Sequence, residues 1–315
     1  MTTLDPNYGR DMSKPGTEAA PAIPGDMRPP LPDLPVETLF HYTTAAGLLG
    51  IINGASLWAT DVHFLNDAQE AIYAKEAVFK SVQKMESPTR NPSHWAYEHG
   101  DAAHETFDRY RELTLEELAN DPFGVYVTCF CEEGDLLSQW RAYGSEHGYA
   151  VEINVRAIQQ AVRNLLLAPP TAGGVVNVRY GPDAAVAAAT DAVAAVEEFN
   201  LNHPGVKAHY KALELATILA TVKHPGFSEE REWRLFAGFE AHHLQGPGSP
   251  TPMQFRATGM ALVPYISIDL PRESFISIRV GPGDSPEVRA AGVRRLLTHY
   301  GMTAEVVASE VPYRT

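Results

Sequence analysis

The order of its extended runs constrains this chain most. "GVYVTCFCEE" and "GYAVEIN" stand close together near the middle, and "EWRLFAGF", "PYISIDL" and "FISIRVG" follow later. Each has the length and the apolar or alternating pattern of a strand, with turn-forming residues at its ends. The shorter "LFHY" and "SLWAT" precede them, and "TAEVVASEV" closes the chain. Helical stretches fall between these runs in blocks. Thr43 or Thr44 can cap a helix carrying Leu48, Leu49, Ile51 and Ile52 at helical spacing, and Gly54 is placed to close it. "AQEAIYAKEAVFKSVQKM", the Ala-rich "DAAVAAATDAVAAVEEFN", "VKAHYKALELATILATVK" and "SPEVRAAGVRRLLTHYG" also read as helices. Blocks of strand and helix without strict alternation predict an α+β domain, not a doubly wound one.

Residues 1–35 are rich in Pro, Gly and Asp and have no apolar periodicity, so they read as a disordered or extended Pro-rich arm. Residues 36–315 are expected to form a single domain with a helical insertion near 68–120. With 315 residues, 44% of them hydrophobic, the chain can bury a large core without cross-links. A formal net charge of −14 argues against a broad basic surface that grips nucleic acid, and leaves room only for a confined basic groove.

No apolar run reaches the length of a membrane span, and "MTTLDPNYGRDMSKPG" lacks the pattern of a secretory leader. The expectation is a cytoplasmic protein with no membrane partner. Cys129 and Cys131 share one face of an extended segment, either as buried thiols or as half of a metal site. No Cys/His partner at zinc spacing follows, so no metal is expected. Neither GxGxxG nor GxxxxGK[ST] occurs, which removes the usual phosphate-cradling loops.

Four stretches carry residues suited to chemistry. In "LFHYTT", His41 ends a short strand just before a helix N-terminus, where it serves either a polar ligand or the core as a hydrogen-bonded imidazole. In "FLND", Asn66 and Asp67 precede a helix, as caps or as groups directed at a substrate. In "LSQWRAYG", Trp140, Arg141 and Tyr143 combine a flat apolar face, a bidentate cation and a phenol, which suits an aromatic ring beside a phosphate; Trp140 as a core anchor is the other reading. In "SEEREWRLF", Glu232 and Arg234 share the strand face opposite Trp233 and Leu235, while Glu229 and Glu230 belong to the incoming loop. A carboxylate on a rigid strand can be aimed at a ribose and can stabilise the positive charge of a breaking glycosidic bond. It can equally belong to a ladder of cross-strand charge pairs.

Taken in order, "FHYTT…GLLGIINGASLWAT…FLNDAQE", "CFCEEGDLLSQWRAYG…GYAVEIN", "HPGFSEEREWRLF" and "VPYISIDL…IRVGPG" resemble the bacterial domain of unknown function 2971, over residues 37–283. That family in turn resembles the ADP-ribosyltransferase fold, a pair of split antiparallel sheets with flanking helices that holds NAD in a cleft. The opening His-Tyr-Thr is similar to the His-Gly-Thr/Ser of poly-ADP-ribose polymerases and RNA 2′-phosphotransferases. "FLND" and "EREWRLF" look like the Asn-Asp segment and glutamate-bearing strand of DarT-type DNA ADP-ribosyltransferases.

The resemblance implies that Glu232 is the catalytic glutamate and that His41, Tyr42, Thr43, Asn66, Trp140, Arg141 and Tyr143 bind NAD, the substrate. Tyr143 and Tyr126 are the candidates for stacking on nicotinamide. Tyr42 departs from the Gly that is frequent at that place. The activity implied is mono-ADP-ribosylation of a protein or nucleic-acid acceptor, in a toxin, effector or antiphage role. The alternatives are an inactive nucleotide-binding sensor or partner module, and an NAD glycohydrolase.

Overall fold

The computed structural model of the chain describes residues 30–65, 68–86, 107–116, 118, 124–143, 147–165, 171–202, 215, 218–239, 251–258 and 261–312. The chain divides into Met1–Pro32 and Asp33–Thr315, and the elements described all belong to the second unit. Residues 1–29 of the expected arm lie outside the described residues, as do Asn66, Asp67 and most of "VKAHYKALELATILATVK".

The first motif folds as its sequence dictates. Strand β1 (Thr38–Thr43) leads into helix α1 (Ala45–Gly54), where the Thr44 side chain accepts a hydrogen bond from the Gly47 N–H. The helix closes one residue later than Gly54 led us to expect. Gly54 is still helical, and Ala55 takes the left-handed conformation at φ 46°, returning its N–H to the Ile51 carbonyl.

There follow β2 (Ser56–Asp61), a 3-10 turn at Val62–Phe64, α2 (Ala68–Lys84), α3 (107–116), β3 (Val125–Cys131), α4 (Leu137–Tyr143), β4 (Tyr149–Asn154) and α5 (Val155–Leu165). The second half runs β5 (Thr171–Asn177), β6 (Arg179–Tyr180), α6 (Pro182–Asn202), β7 (Val222–Lys223), a 3-10 turn at Pro225–Glu230, β8 (Glu232–Phe239), β9 (Gln254–Ala257), β10 (Leu262–Asp269), β11 (Phe275–Val280), α7 (Pro286–His299) and β12 (Glu305–Ala308). Sequence patterning does not mark β5. "TAGGVVN" is weak strand material, and it is extended because it pairs with β8 from Thr171↔Phe239 to Asn177↔Trp233.

The architecture is α+β around one large, mostly antiparallel sheet. Its strand order is β12-β11-β4-β1-β3-β2-β10-β9, with β8 added to β3 and β5 to β8. Within it, β11 and β12 are parallel. One edge of β3 is taken by β8 from Val125↔Gly238 to Cys131↔Glu232. The other edge is divided: β1 meets it at Phe40↔Cys131, and β2 meets it at Thr60↔Val127 and Asp61↔Tyr126.

Two groups of strands therefore part from a single edge of β3. Between them, side chains serve the backbone that no ladder reaches, since unpaired strand groups need partners. Thr128 Oγ1 donates to the Trp58 carbonyl at 3.2 Å, and His41 Nδ1 donates to the Cys129 carbonyl at 2.9 Å.

The main core lies on one face of the sheet, under α1, α5 and α7, with Leu39, Ile52, Ile153, Leu235 and Ile266 fully enclosed. On the opposite face, α4 packs over β1 and β4 through Trp140, Tyr42 and Ala150. A separate core joins α2, α3 and α6 through Val78, Tyr110 and the alanines Ala185, Ala188, Ala189 and Ala192. Alanine at these positions lets helices approach closely, so the Ala-rich run is buried packing and not merely good helix former.

Candidate functional site

Strand β8 is buried along its whole length. Trp233, Leu235 and Ala237 point into the main core, and Glu232 and Arg234 point the other way. That second face is covered as well, because the β6–β7 pair and the 3-10 turn Pro225–Glu230 sit beside it, leaving Glu232 4% and Arg234 5% exposed. Buried charges cost several kcal/mol each unless they are paired and hydrogen-bonded. The residues here meet that demand.

Arg234 Nε donates to Glu232 Oε1 at 2.6 Å and Arg234 Nη2 to Oε2 at 3.2 Å. Lys223 Nζ lies 2.8 Å from Glu232 Oε2 and 2.5 Å from Glu230 Oε2. The Cys129 thiol neighbours the same Glu232 carboxylate, and each shifts the other's pKa. Arg234 Nη1 is taken up by the Ala220 carbonyl at 2.8 Å. Glu230 and Glu232 converge on one lysine because Arg231 between them is left-handed, at φ 42°, turning the chain from the 3-10 turn into the strand. Glu230 is thus part of the network, not only the rim of a loop.

Burial by itself would raise the Glu232 pKa. The Arg234 charge and hydrogen bond, followed by Lys223 and the Cys129 thiol, outweigh it and hold the carboxyl down at about 2. Burial, then the neighbouring Glu232 charge, pushes the Cys129 thiol well up. Burial likewise raises Tyr143 at the end of α4, and the charges of Glu230, Lys223 and Glu232 are felt there. Tyr180 on β6 accepts the Glu232 backbone N–H at 2.8 Å, and burial lifts its hydroxyl to about 12.

His41 sits on the other side of β3. A carbonyl only accepts, so Nδ1 carries the proton in its bond to Cys129. Burial lowers the ring's pKa by more than the Cys129 hydrogen bond raises it, and the Arg256 charge adds to the lowering, so the imidazole is neutral and its Nε2 is an acceptor. The register pairs His41 with Val151, on the core face, whereas Glu232 pairs with Cys131 and through it with Phe40, on the opposite face. Cys129 connects the two: its carbonyl takes His41, and its thiol neighbours Glu232 and feels its charge.

The other sequence candidates are spread out. Tyr42 is buried as a peg, its hydroxyl donating to the Glu133 carbonyl and accepting the Leu136 N–H, each at 2.9 Å. Thr43 is half-buried at the end of β1, and Arg141 is exposed on α4. Trp140 is an anchor: its ring packs at 4.7 Å from Tyr42, its Nε1 donates to Asp135 Oδ1 at 2.8 Å, and Gly281 leaves it space that a Cβ would fill at 2.8 Å. Tyr126 lies in the main core. Asn66 lies outside the described residues.

Local pattern does not reveal Lys223 or Tyr180, because their roles arise only when β6 and β7 pair beside β8. Among the described residues there is no group of three His, Cys, Asp or Glu placed to hold a metal, and no described helix is long and apolar enough to cross a membrane. A groove of about 510 Å³ between α5 and β10, lined by Asn164, Gln254 and Asp269 among others, includes none of the sequence candidates.

Residues 139–235 match the family model described as "Protein of unknown function (DUF2971)", a span that runs from α4 into β8 and includes Lys223, Glu230, Glu232 and Arg234. No curated protein and no solved structure matches the chain.

Proposed function

We propose that the chain binds NAD, or a nucleotide of the same build, at the open edge of β3 between β1 and β2, and that it retains this ligand without cleaving it while the Glu232 cluster is closed. The Glu232 carboxylate carries the reading. Arg234 Nε and Nη2 and Lys223 Nζ all donate to it, and the neighbouring Cys129 thiol also lowers its pKa. These three donors take most of the roughly four acceptor positions a carboxylate offers. A ribose hydroxyl must compete there with buried ion pairs, and opening one strands a buried cation.

His41 is differently placed. With Nδ1 committed to Cys129, its neutral ring offers Nε2 to a ribose hydroxyl or a ligand amide. The parting of two strand groups from β3 favours a split-sheet nucleotide cleft of the ADP-ribosyltransferase kind. The role is then that of a sensor or partner module.

A second reading, ADP-ribosyl transfer to a protein or nucleic-acid acceptor or to water, draws support from Cys129. One residue touches both His41 and Glu232, so a ligand that moves β3 at one side acts on the carboxylate at the other.

Calorimetry with NAD, run beside an assay of nicotinamide release, tests both readings on the wild type, His41→Ala and Glu232→Gln. Binding that weakens in His41→Ala, without nicotinamide release, is the expected result. Release that depends on Glu232 would replace the module with the enzyme, and absence of binding would remove NAD as the ligand.

A further inference from the structure

Arg256 lies on β9, two strands away from β2, and its side chain reaches across β10 so that Nη2 donates to Thr60 Oγ1 at 3.0 Å. Its guanidinium stands 6.0 Å from the Trp58 ring centroid. Trp58 is itself fixed, 4.7 Å from Tyr265 and against Gly50 of α1, where a Cβ would come within 2.9 Å of the indole. The cation thus sits beside the strand that forms one wall of the open β3 edge.

Its hydrogen bonding is incomplete. Arg256 Nε is buried and has no acceptor, and among the described residues no carboxylate pairs with the side chain. Two other arginines have an unmatched buried nitrogen, but they differ in kind. Arg279 has Asp135 at 3.6 Å and the Ala308 carbonyl, and Arg289 has the carbonyls of Asp284 and Gly281. Arg256 has one hydroxyl.

A half-buried guanidinium with an idle, buried N–H is costly unless an acceptor arrives, and its planar fork fits phosphate oxygens two at a time. Burial holds its pKa below the ordinary arginine value, and its charge is felt at His41. The chain's net charge of −14 makes such a cation locally selective.

We propose that Arg256 is the phosphate-binding cation of this site, taking phosphate oxygens of a nucleotide through Nε and Nη1 while Thr60 holds Nη2 and Trp58 walls the pocket. This rests on the reading that a nucleotide enters at the β3 edge, and it narrows the ligand to one with a phosphate or diphosphate. Nicotinamide riboside, which has no phosphate, is then a poor ligand beside NAD.

The test is calorimetry of the full chain with three probes, NAD, nicotinamide riboside and inorganic pyrophosphate, on wild type, Arg256→Gln and Arg256→Lys. Loss of the guanidinium is expected to weaken NAD and pyrophosphate by roughly 10- to 100-fold, the scale of a charge-assisted hydrogen bond, and to leave the riboside unchanged. Arg256→Lys keeps the charge without the fork and should recover part of the loss; circular dichroism of each variant separates lost binding from lost fold. If the wild type takes pyrophosphate but not NAD, and Arg256→Gln abolishes this, the anion site stands while NAD falls. An Arg256→Gln variant that binds every probe as wild type does overturns the proposal, and so does a wild type that takes neither NAD nor pyrophosphate.

Discussion

Arg234 reaches back along its own strand to Glu232, with Nε 2.6 Å from Oε1, so one β-strand carries both members of a buried ion pair. Residues two apart on a strand share a face, and the pair forms without any loop closing. Lys223 then adds a second cation from β7. The cluster ties β8 to the covering β6–β7 pair.

Glu232→Gln removes the anion that balances two buried cations. The expected loss of stability is about 3 kcal/mol, the scale for breaking a buried pair from one side. Urea denaturation reads it as a lower midpoint with an unchanged slope. Lys223→Met should cost less, since Arg234 still balances Glu232. Equal stability of Glu232→Gln and wild type would show that the carboxylate does not hold the fold.

Acid should unfold the protein through the same group. The folded Glu232 pKa of about 2 lies below the ordinary value of 4.5, so the unfolded chain binds the proton first as pH falls. The stabilisation is complete above about pH 4.5 and is lost progressively toward pH 2, amounting to roughly 3 kcal/mol in all. In Lys223→Met/Arg234→Met the lowering charges are gone and burial raises the carboxyl instead, so thermal melts should no longer fall across that window as pH drops.

His41 should remain a neutral Nδ1–H tautomer at pH values where a free histidine is largely protonated, since burial lowers its pKa. The unfolded chain takes up the proton near pH 6.5 and the folded one resists, so this contribution to stability is present above that pH and declines below it. Nitrogen chemical shifts of the labelled imidazole report the tautomer directly. A ring that titrates like a free histidine would contradict both the burial and the bond to Cys129.

Both thiols should react slowly in the native state. Burial raises Cys131 to about 11 and Cys129 well above the ordinary thiol value, so little thiolate exists at neutral pH. Ellman's reagent should label both cysteines quickly in denaturant and only slowly before it is added. Fast native labelling of Cys129 would place its thiol in solvent and away from Glu232.

Much of the fold was legible in the residues. The alternation of "EWRLFAGF", the cap at Thr44 and the apolar spacing of α1 are short-range signals, and each appears in its expected element. The cysteines do share a strand face. The strand β5 was not legible, because its two glycines and small residues are extended only through pairing with β8. The site was half legible: Glu232 and Arg234 were placed on one face, but Lys223, Tyr180 and the bridging role of Cys129 were not.

The sequence by itself determined the class, α+β, and the residue types that could carry charge or bind a ring, because periodicity and capping depend on neighbours a few positions apart. The tertiary structure alone decided that the polar face of β8 is buried, that Arg234 and Lys223 converge on the Glu232 carboxylate, and that His41 faces the other side of the sheet. Alternation tells two faces apart without saying what covers either one. That depends on contacts between residues far apart in the chain, and the same contacts turn a strand's outward acid into a buried ion.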